Sequence, residues 1–409
     1  MTRNGSPEWL KTMIFQRNQF ILASAGSGDV AGGVRAPAAN LSISHALTGR
    51  AVDPKAANQM SVFPLLAHPA EYLPCLEDLK ADPSAREYWI GRFERHLKTL
   101  AALPHPSGRL ETAPRFVEFR ASYWKGLSRL RADPDSEERI TVLTICEFRT
   151  RQLRRFGFAD AFAELKRAQN DAAMAQLAGH LRRLDALPDA MESLVRCLLA
   201  ANINDFGSAE ALARLNEDGD SLARAIERLP QRPWRFDQFD AVVARLSQLA
   251  AAGERLMLFV DNGGPEFVLA VIPTAREIAR RGGSVCLAAN SGPALNDVTD
   301  LEARSLLDRA AALDPILGEG WNNGRIQVVD SGCTEPLLDL SHVSVNCAAA
   351  ALGCSGLMLM GMGRSIETNY HAAFRVDCVR LGLVKDEHVA GLLGVPLFEP
   401  ICRLDPAAS

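Results

Sequence analysis

Two rhythms run along this chain. Between about residues 60 and 250 the apolar positions recur at helical spacing. Met191, Leu194, Val195, Leu198 and Leu199 fall at i, i+3, i+4, i+7 and i+8, which is one face of an α-helix. Asp189, just after Pro188, is placed to cap its start. Phe239, Val242, Val243 and Leu246 repeat the spacing, and breaks at Pro134, Gly157, Pro188, Gly207 and Pro230 separate the helical units. From about residue 254 short apolar runs alternate with helical stretches. LMLFV (256–260), SVCLA (284–288), RIQVV (325–329) and GLMLM (356–360) read as buried strands. Helical patterns occupy about 265–281, 299–312 and 341–351, and an apolar run near Pro396–Cys402 reads as a closing strand. Pro273 falls inside the first of these helices, where an interior proline costs about 3 kcal/mol, so a kink or break is expected there.

Strand, crossover helix, strand is the pattern of a mostly parallel sheet with helices on both faces. The fold class expected is α/β, a Rossmann-like α/β/α three-layer sandwich with an N-terminal helical domain. The expected division is a flexible extension over 1–58, a mainly helical domain over 59–250 and the α/β domain over 251–409. The extension is assigned on the stretch ASAGSGDVAGGVRAPAANLS, which has no sustained period and little apolar surface to bury.

Composition narrows the function classes. The formal net charge of −4 argues against bulk-charge binding of nucleic acid, which needs a basic surface. No apolar run approaches the roughly 20 residues that span a bilayer, and the N-terminus lacks a secretory pattern. The nine cysteines form no CxxC pair and sit mostly in apolar stretches, so they read as reduced core thiols. A cytoplasmic location is expected, with neither nucleic acid nor membrane as partner.

Ligands of open parallel sheets bind beyond the carboxyl ends of the strands. Three polar loops follow predicted strands: DNGGPE (Asp261–Glu266), NSGPALNDVT (Asn290–Thr299) and GMGRSIETN (Gly361–Asn369). The first offers a carboxylate and an amide side by side, oxygen donors that suit hard cations. Gly263 and Gly264 would let backbone N–H groups approach a phosphate. The second loop adds Asp297, and the third adds Arg364, whose guanidinium suits a phosphate. A fourth segment, NINDFGS, brings Asn202 and Asp205 from the end of the 191–201 helix. Each has an ordinary reading too. Asp261, Asn262 and Asp297 can cap helices, Thr299 with Glu302 fits a capping box, Glu266 suits a solvated first turn, and glycine turns need no ligand.

Longer motifs carry a resemblance. NINDFGSAE, LPQRPW (229–234), FVDNGGPE, IPTAREIARRGGSVCLAANSGPALNDVT, DLSHVS (339–344) and GMGRSIETNYHAAFRVDCVRLGLVKDEHVAGLLG occur in the order found in the damage-control phosphatases. The similarity spans about 140 to 403 and is to the branch of the plant stand-alone members and the C-terminal domain of type four pantothenate kinase. The resemblance implies a divalent metal ion (Mg²⁺, Mn²⁺, Co²⁺ or Ni²⁺) held by Asp261, Asn262 and Asp297. It implies hydrolysis of a small phosphorylated metabolite, 4′-phosphopantetheine or its damaged forms. Catalytic roles are expected for Asp261, Glu266 and Arg364. Substrate contacts are expected from Asn202, Asp205, Gly263, Gly264, Gly363, Arg364 and Asn369. The branch motif Glu-Gly-Met-Gly-Arg falls on Met360–Arg364, so a methionine replaces its glutamate and substrate preference is expected to shift. Two other classes stay open: an S-adenosylmethionine-dependent carboxyl methyltransferase, and a non-catalytic phosphometabolite-binding protein.

Overall fold

The computed structural model describes residues 59–75, 77–202 and 221–408. Seven strands make one sheet: β1 (Phe236–Asp237), β2 (Arg255–Phe259), β3 (Ser284–Ala289), β4 (Ile326–Asp330), β5 (Gly356–Met360), β6 (Asp377–Leu383) and β7 (Pro400–Asp405). Their order is β1-β7-β6-β5-β2-β3-β4. Neighbours from β6 to β4 are parallel, while β7 runs antiparallel to β6. The fold is α/β, as the alternating pattern predicts. The four central runs lie within a residue of their expected starts, and the closing strand lies beyond Pro396.

Strand periodicity divides the central strands between two cores. Leu256, Leu258, Met358 and Met360 face one, and Met257, Phe259, Leu357 and Leu359 face the other. The first core runs from Ala173 to Cys402, so it takes in residues on both sides of residue 250. The helices α4 (Ala163–Asp185), α5 (Met191–Ala201), α6 (Ser221–Glu227) and α7 (Phe239–Ala251) belong to this side. Helix α5 has the bounds its apolar spacing predicts. Asp189 accepts from the Met191 N–H at 2.8 Å. The opposite face carries a short helix, Val345–Ala351, and the segment Phe63–Leu66.

The stretch expected as one helix over 265–281 is two pieces. A π-helical turn over Glu266–Val271 leads into α8 (Ile272–Arg280), with Pro273 in the first turn of α8. At that position its missing N–H costs no regular helix bond. Helix α9 (Asp300–Ala311) starts at Thr299, which forms the expected capping box with Glu302.

Three further helices, α1 (Pro83–Ala102), α2 (Phe116–Ala132) and α3 (Val142–Arg155), form a third core together with Leu337, Ile366, Val384 and Val389. Those four residues follow the carboxyl ends of β4, β5 and β6. The helices therefore cap the sheet edge where the polar loops lie. All nine cysteines are free thiols. Among the described residues, no helix is long and apolar enough to cross a membrane.

Candidate active site

The chain leaves β2 toward β3 and β4 on one side, then returns to lay β5 and β6 on the other. That reversal opens a crevice between the loops after β2 and β5, where open α/β sheets bind ligands. Asp261 and Asn262 follow β2, Asn290 and Asp297 follow β3, and Arg364 lies in a π-helical turn (Gly363–Thr368) after β5. The loops are stitched by their backbones. Val298 N–H donates to the Asp261 carbonyl at 3.0 Å, and Gly263 N–H donates to the Asn296 carbonyl at 2.9 Å.

Arg364 is the hub. Its guanidinium pairs with Asp261, donates to Asp297 Oδ2 at 2.7 Å and donates to Asn290 Oδ1 at 3.0 Å. Asn290 also donates to Asp297 Oδ2 at 3.1 Å. The other Asp261 oxygen accepts from Asn262 Nδ2 at 3.1 Å and from Asn202 Nδ2 at 3.2 Å. Glu266 is 0% exposed and accepts from the same two amides, at 2.9 and 3.1 Å, and from the Asn262 N–H at 3.1 Å. Asn202 is anchored in turn by the Leu383 N–H, which donates to its Oδ1 at 3.3 Å. Gly361 is obligatory beneath this network. Its φ is +85°, and a β-carbon there would run into the Asp261 carboxylate.

These contacts choose between the two readings of each loop. Asp297 caps no helix, because Thr299 does that work, and its carboxylate goes to Arg364 and Asn290 instead. Glu266 is not a solvated first-turn acid, because it is buried inside the cluster.

Electrostatics distinguish the site further. Burial pushes the Glu266 carboxyl up, although three donors oppose it. Burial, with the charge of Glu266 second, pushes Asp297 well above the usual carboxylate range. Burial pulls the Arg364 guanidinium down to about 9, so it stays charged at neutral pH between its carboxylates. Three buried acids thus face one buried guanidinium. The donors are of the oxygen type that hard cations take, although no three His, Cys, Asp or Glu side chains among the described residues are grouped as metal ligands. They include carboxylate oxygens, and both Asn262 amide hydrogens are engaged, which leaves its carbonyl oxygen unused by them.

Residues 92–401 match the damage-control phosphatase ARMT1-like domain. The chain belongs to the damage-control phosphatase family. Among its relatives in that family, a damage-control phosphatase of Arabidopsis thaliana is 31% identical over 86% of this chain and 99% of its own length. The 4′-phosphopantetheine phosphatase of Mus musculus is 31% identical over 84% of this chain and 48% of that protein. Pantothenate kinase 2 of Arabidopsis thaliana is 35% identical over 85% of this chain and 42% of that protein. The chain thus spans under half the length of these last two. A DUF89 family protein of Pyrococcus horikoshii shares the fold, with a TM-score of 0.57 at 16% identity over 78% of this chain and 96% of that one.

Not every residue expected to touch substrate in this damage-control phosphatase fold faces the crevice. The N–H groups of Gly263 and Gly264 are already taken, the second by Asn170 Oδ1 at 2.6 Å, so they have no hydrogen to give a phosphate. Asn369 is used internally as well. It donates to the carbonyls of Leu338 and Arg364 at 3.0 and 2.9 Å and accepts from Tyr72 at 2.8 Å, which fixes the end of the Arg364 turn. Gly363 opens that turn against the Pro336 carbonyl, with no room for a side chain. Met360 is 1% exposed and lies in the apolar core with Met358 and Leu381. Asp205 lies outside the described residues, as does the 1–58 extension.

Sequence reasoning missed Asn290, which holds both Asp297 and Arg364, although it sits at the mouth of a predicted strand. It also missed Lys385. This residue follows β6 at the same edge, and its N–H donates to Met362 Sδ at 3.1 Å. Its charge acts on Glu266. The signal was the sheet-edge rule, but β6 itself was not anticipated.

Proposed function

We propose that this damage-control phosphatase family member is a metal-dependent phosphomonoesterase acting on small phosphorylated metabolites, 4′-phosphopantetheine or its damaged forms among them. One observation carries this reading. Three buried acids, three amides and one guanidinium converge at the switch point of the sheet, with more carboxylates than the guanidinium can neutralise, which supports the reading of a cation bound there. Asp261, Asn262 and Asp297 would hold the divalent ion, which would supply Lewis-acid charge to the phosphoryl oxygens.

The chain's own residues divide the remaining work. Arg364, released from bridging two carboxylates, binds the phosphate bidentately. Lys385 adds a second positive charge from the neighbouring strand end. Asn202 and Asn262 hold Asp261 and Glu266 in fixed orientations. We place Asp261 in the ligand set and give attack on phosphorus to water, with an aspartyl-phosphate route through Asp261 as the alternative. Glu266, its pKa raised by burial, takes the proton from that water. The products are the alcohol and inorganic phosphate.

A phosphomonoester panel including 4′-phosphopantetheine, assayed with chelator and then with each metal in excess, tests the reading. Phosphate release restored by metal supports it. Binding of S-adenosylmethionine without any phosphate release would favour the methyltransferase alternative instead.

A further inference from the structure

Five cationic side chains of Lys and Arg are buried among the described residues: Arg149, Lys166, Arg276, Arg364 and Arg380. Four have carboxylates beside them. Lys166 meets Asp160 at 3.0 Å and Glu302 at 2.9 Å, and Arg276 meets Asp185 at 2.7 Å and Asp314 at 2.9 Å. Arg364 meets Asp261 and Asp297, and Arg380 meets Asp405. Arg149, only 4% exposed, meets no carboxylate at ion-pair distance among the described residues. Its guanidinium lies 5.1 Å from the centre of the Phe93 ring and 3.6 Å from Cys146 Sγ, and its Nε has no hydrogen-bond acceptor. A buried guanidinium without an ion-pair partner is costly, and such a group suits an anion brought by a ligand.

The surroundings agree with a ligand position. Trp89, Phe93 and His96 lie on one face of α1, and Trp89 Nε1 and His96 Nδ1 are also buried without partners. Burial, with the charge of Arg149 second, pulls the His96 imidazole down to about 3, so it is neutral and adds no competing charge. Thr150, the next residue on α3, donates to Glu335 Oε2 at 2.5 Å, and the Arg149 charge acts on that carboxyl and on Asp297 only from beyond ion-pair distance. The Glu335 carbonyl accepts from Asn290 at 3.1 Å, and Asn290 holds Asp297. Three hydrogen bonds thus lead from the residue beside Arg149 to the candidate metal ligands, and the same core holds Arg149's neighbours Phe93 and Cys146 against Ile366, two residues beyond Arg364.

We propose that Arg149 is a substrate-binding residue. It is the cap-side anchor for a second anionic group, a carboxylate or a second phosphate, on a phosphomonoester whose first phosphate lies at Arg364. This deepens, and rests on, the phosphatase reading above. The substrate class it names is small phosphomonoesters with negative charge at both ends, which among the compounds proposed above disfavours 4′-phosphopantetheine itself, whose far end is an uncharged thiol.

Non-hydrolysable probes test this without turnover. A series of ω-carboxyalkyl phosphonates, from phosphonoacetate to the six-carbon member, is titrated calorimetrically into the full-length protein with Mn²⁺ present. Plain alkyl phosphonates of matching length serve as controls. At one length the carboxylate should bind about tenfold or more tightly than its control, the scale of a charge-assisted contact. In Arg149→Met that ratio should fall to about one, and Arg149→Lys should restore part of it. The melting temperature of Arg149→Met should be unchanged or higher, because a buried unpaired charge has gone. No preference for the carboxylate at any length would overturn the proposal, as would a ratio that survives in Arg149→Met. A lowered melting temperature with the ratio intact would show Arg149 to be a packing residue. If the unaltered protein binds the probes with the expected ratio but hydrolyses no phosphomonoester, the phosphatase reading fails and the Arg149 site stands.

Discussion

Arg364 and Arg149 are buried guanidinium groups at the same sheet edge, one on the floor and one in the roof. Arg364 is saturated, with Asp261, Asp297 and Asn290 all accepting from it. Arg149 has a ring face and a thiol. The floor is therefore a preformed network whose parts hold one another in place, and the proposed metal and phosphate would have to rearrange it. The roof keeps a charge without an ion-pair partner, which the proposed second anionic group would meet. On the proposed reading, the chemistry is carried by the sheet edge and selectivity by the helical cap.

The largest effect on this contrast should come from Met360→Glu, which restores the branch motif's glutamate. Met360 is 1% exposed in the apolar core under the saturated floor. A carboxylate there has no partner, so a loss of about 3–5 kcal/mol in urea unfolding is expected, with the ranking of substrates unchanged. A re-ordered ranking at normal stability would show that position 360 reaches the crevice. Gly361→Ala comes next. It forces a methyl group against Asp261 and a residue with a side chain into φ +85°, and should cost about 2 kcal/mol along with activity. Wild-type activity in that variant would mean the Asp261 carboxylate has freedom that the network denies it.

The smallest effect belongs to Glu335, the link between roof and floor. Burial raises its carboxyl from 4.5 to about 7. The folded state therefore binds its proton more tightly than the unfolded chain. The stability this confers is complete below about pH 4.5 and is lost as pH rises through about 7. Glu335→Gln should flatten that decline and be more stable than the parent at pH 8, with little difference at pH 4. Parallel stability curves for the two proteins would show that Glu335 does not titrate in this window.

Much of the floor was legible in the sequence because the sheet-edge rule and the apolar runs point to it together. Asp261, Asn262, Asp297 and Arg364 each follow a strand whose hydrophobic run is uninterrupted. β6 was not legible. Asp377, Arg380 and Gly382 break its apolar run, and only the fold reveals that Arg380 is buried against Asp405 and the Asn369 carbonyl. Lys385 was lost with it. The glycine N–H groups were misjudged for a different reason. A Gly-Gly turn says that backbone can approach something closely, and here that something is Asn170 and Asn296 of the same chain. Arg149 carries no local signal at all. Its meaning lies in the carboxylate that is absent from its surroundings, which no spacing along α3 encodes.

The central claim is that the Asp261–Asn262–Asp297 cluster holds the metal that hydrolysis requires, and kinetics of Asp261→Ala test it most directly. With saturating Mn²⁺ and the phosphomonoester turned over fastest by the unaltered protein, kcat/KM should fall by about 10³-fold or more while circular dichroism shows an intact fold. A variant that keeps near-normal kcat/KM under those conditions would contradict the account.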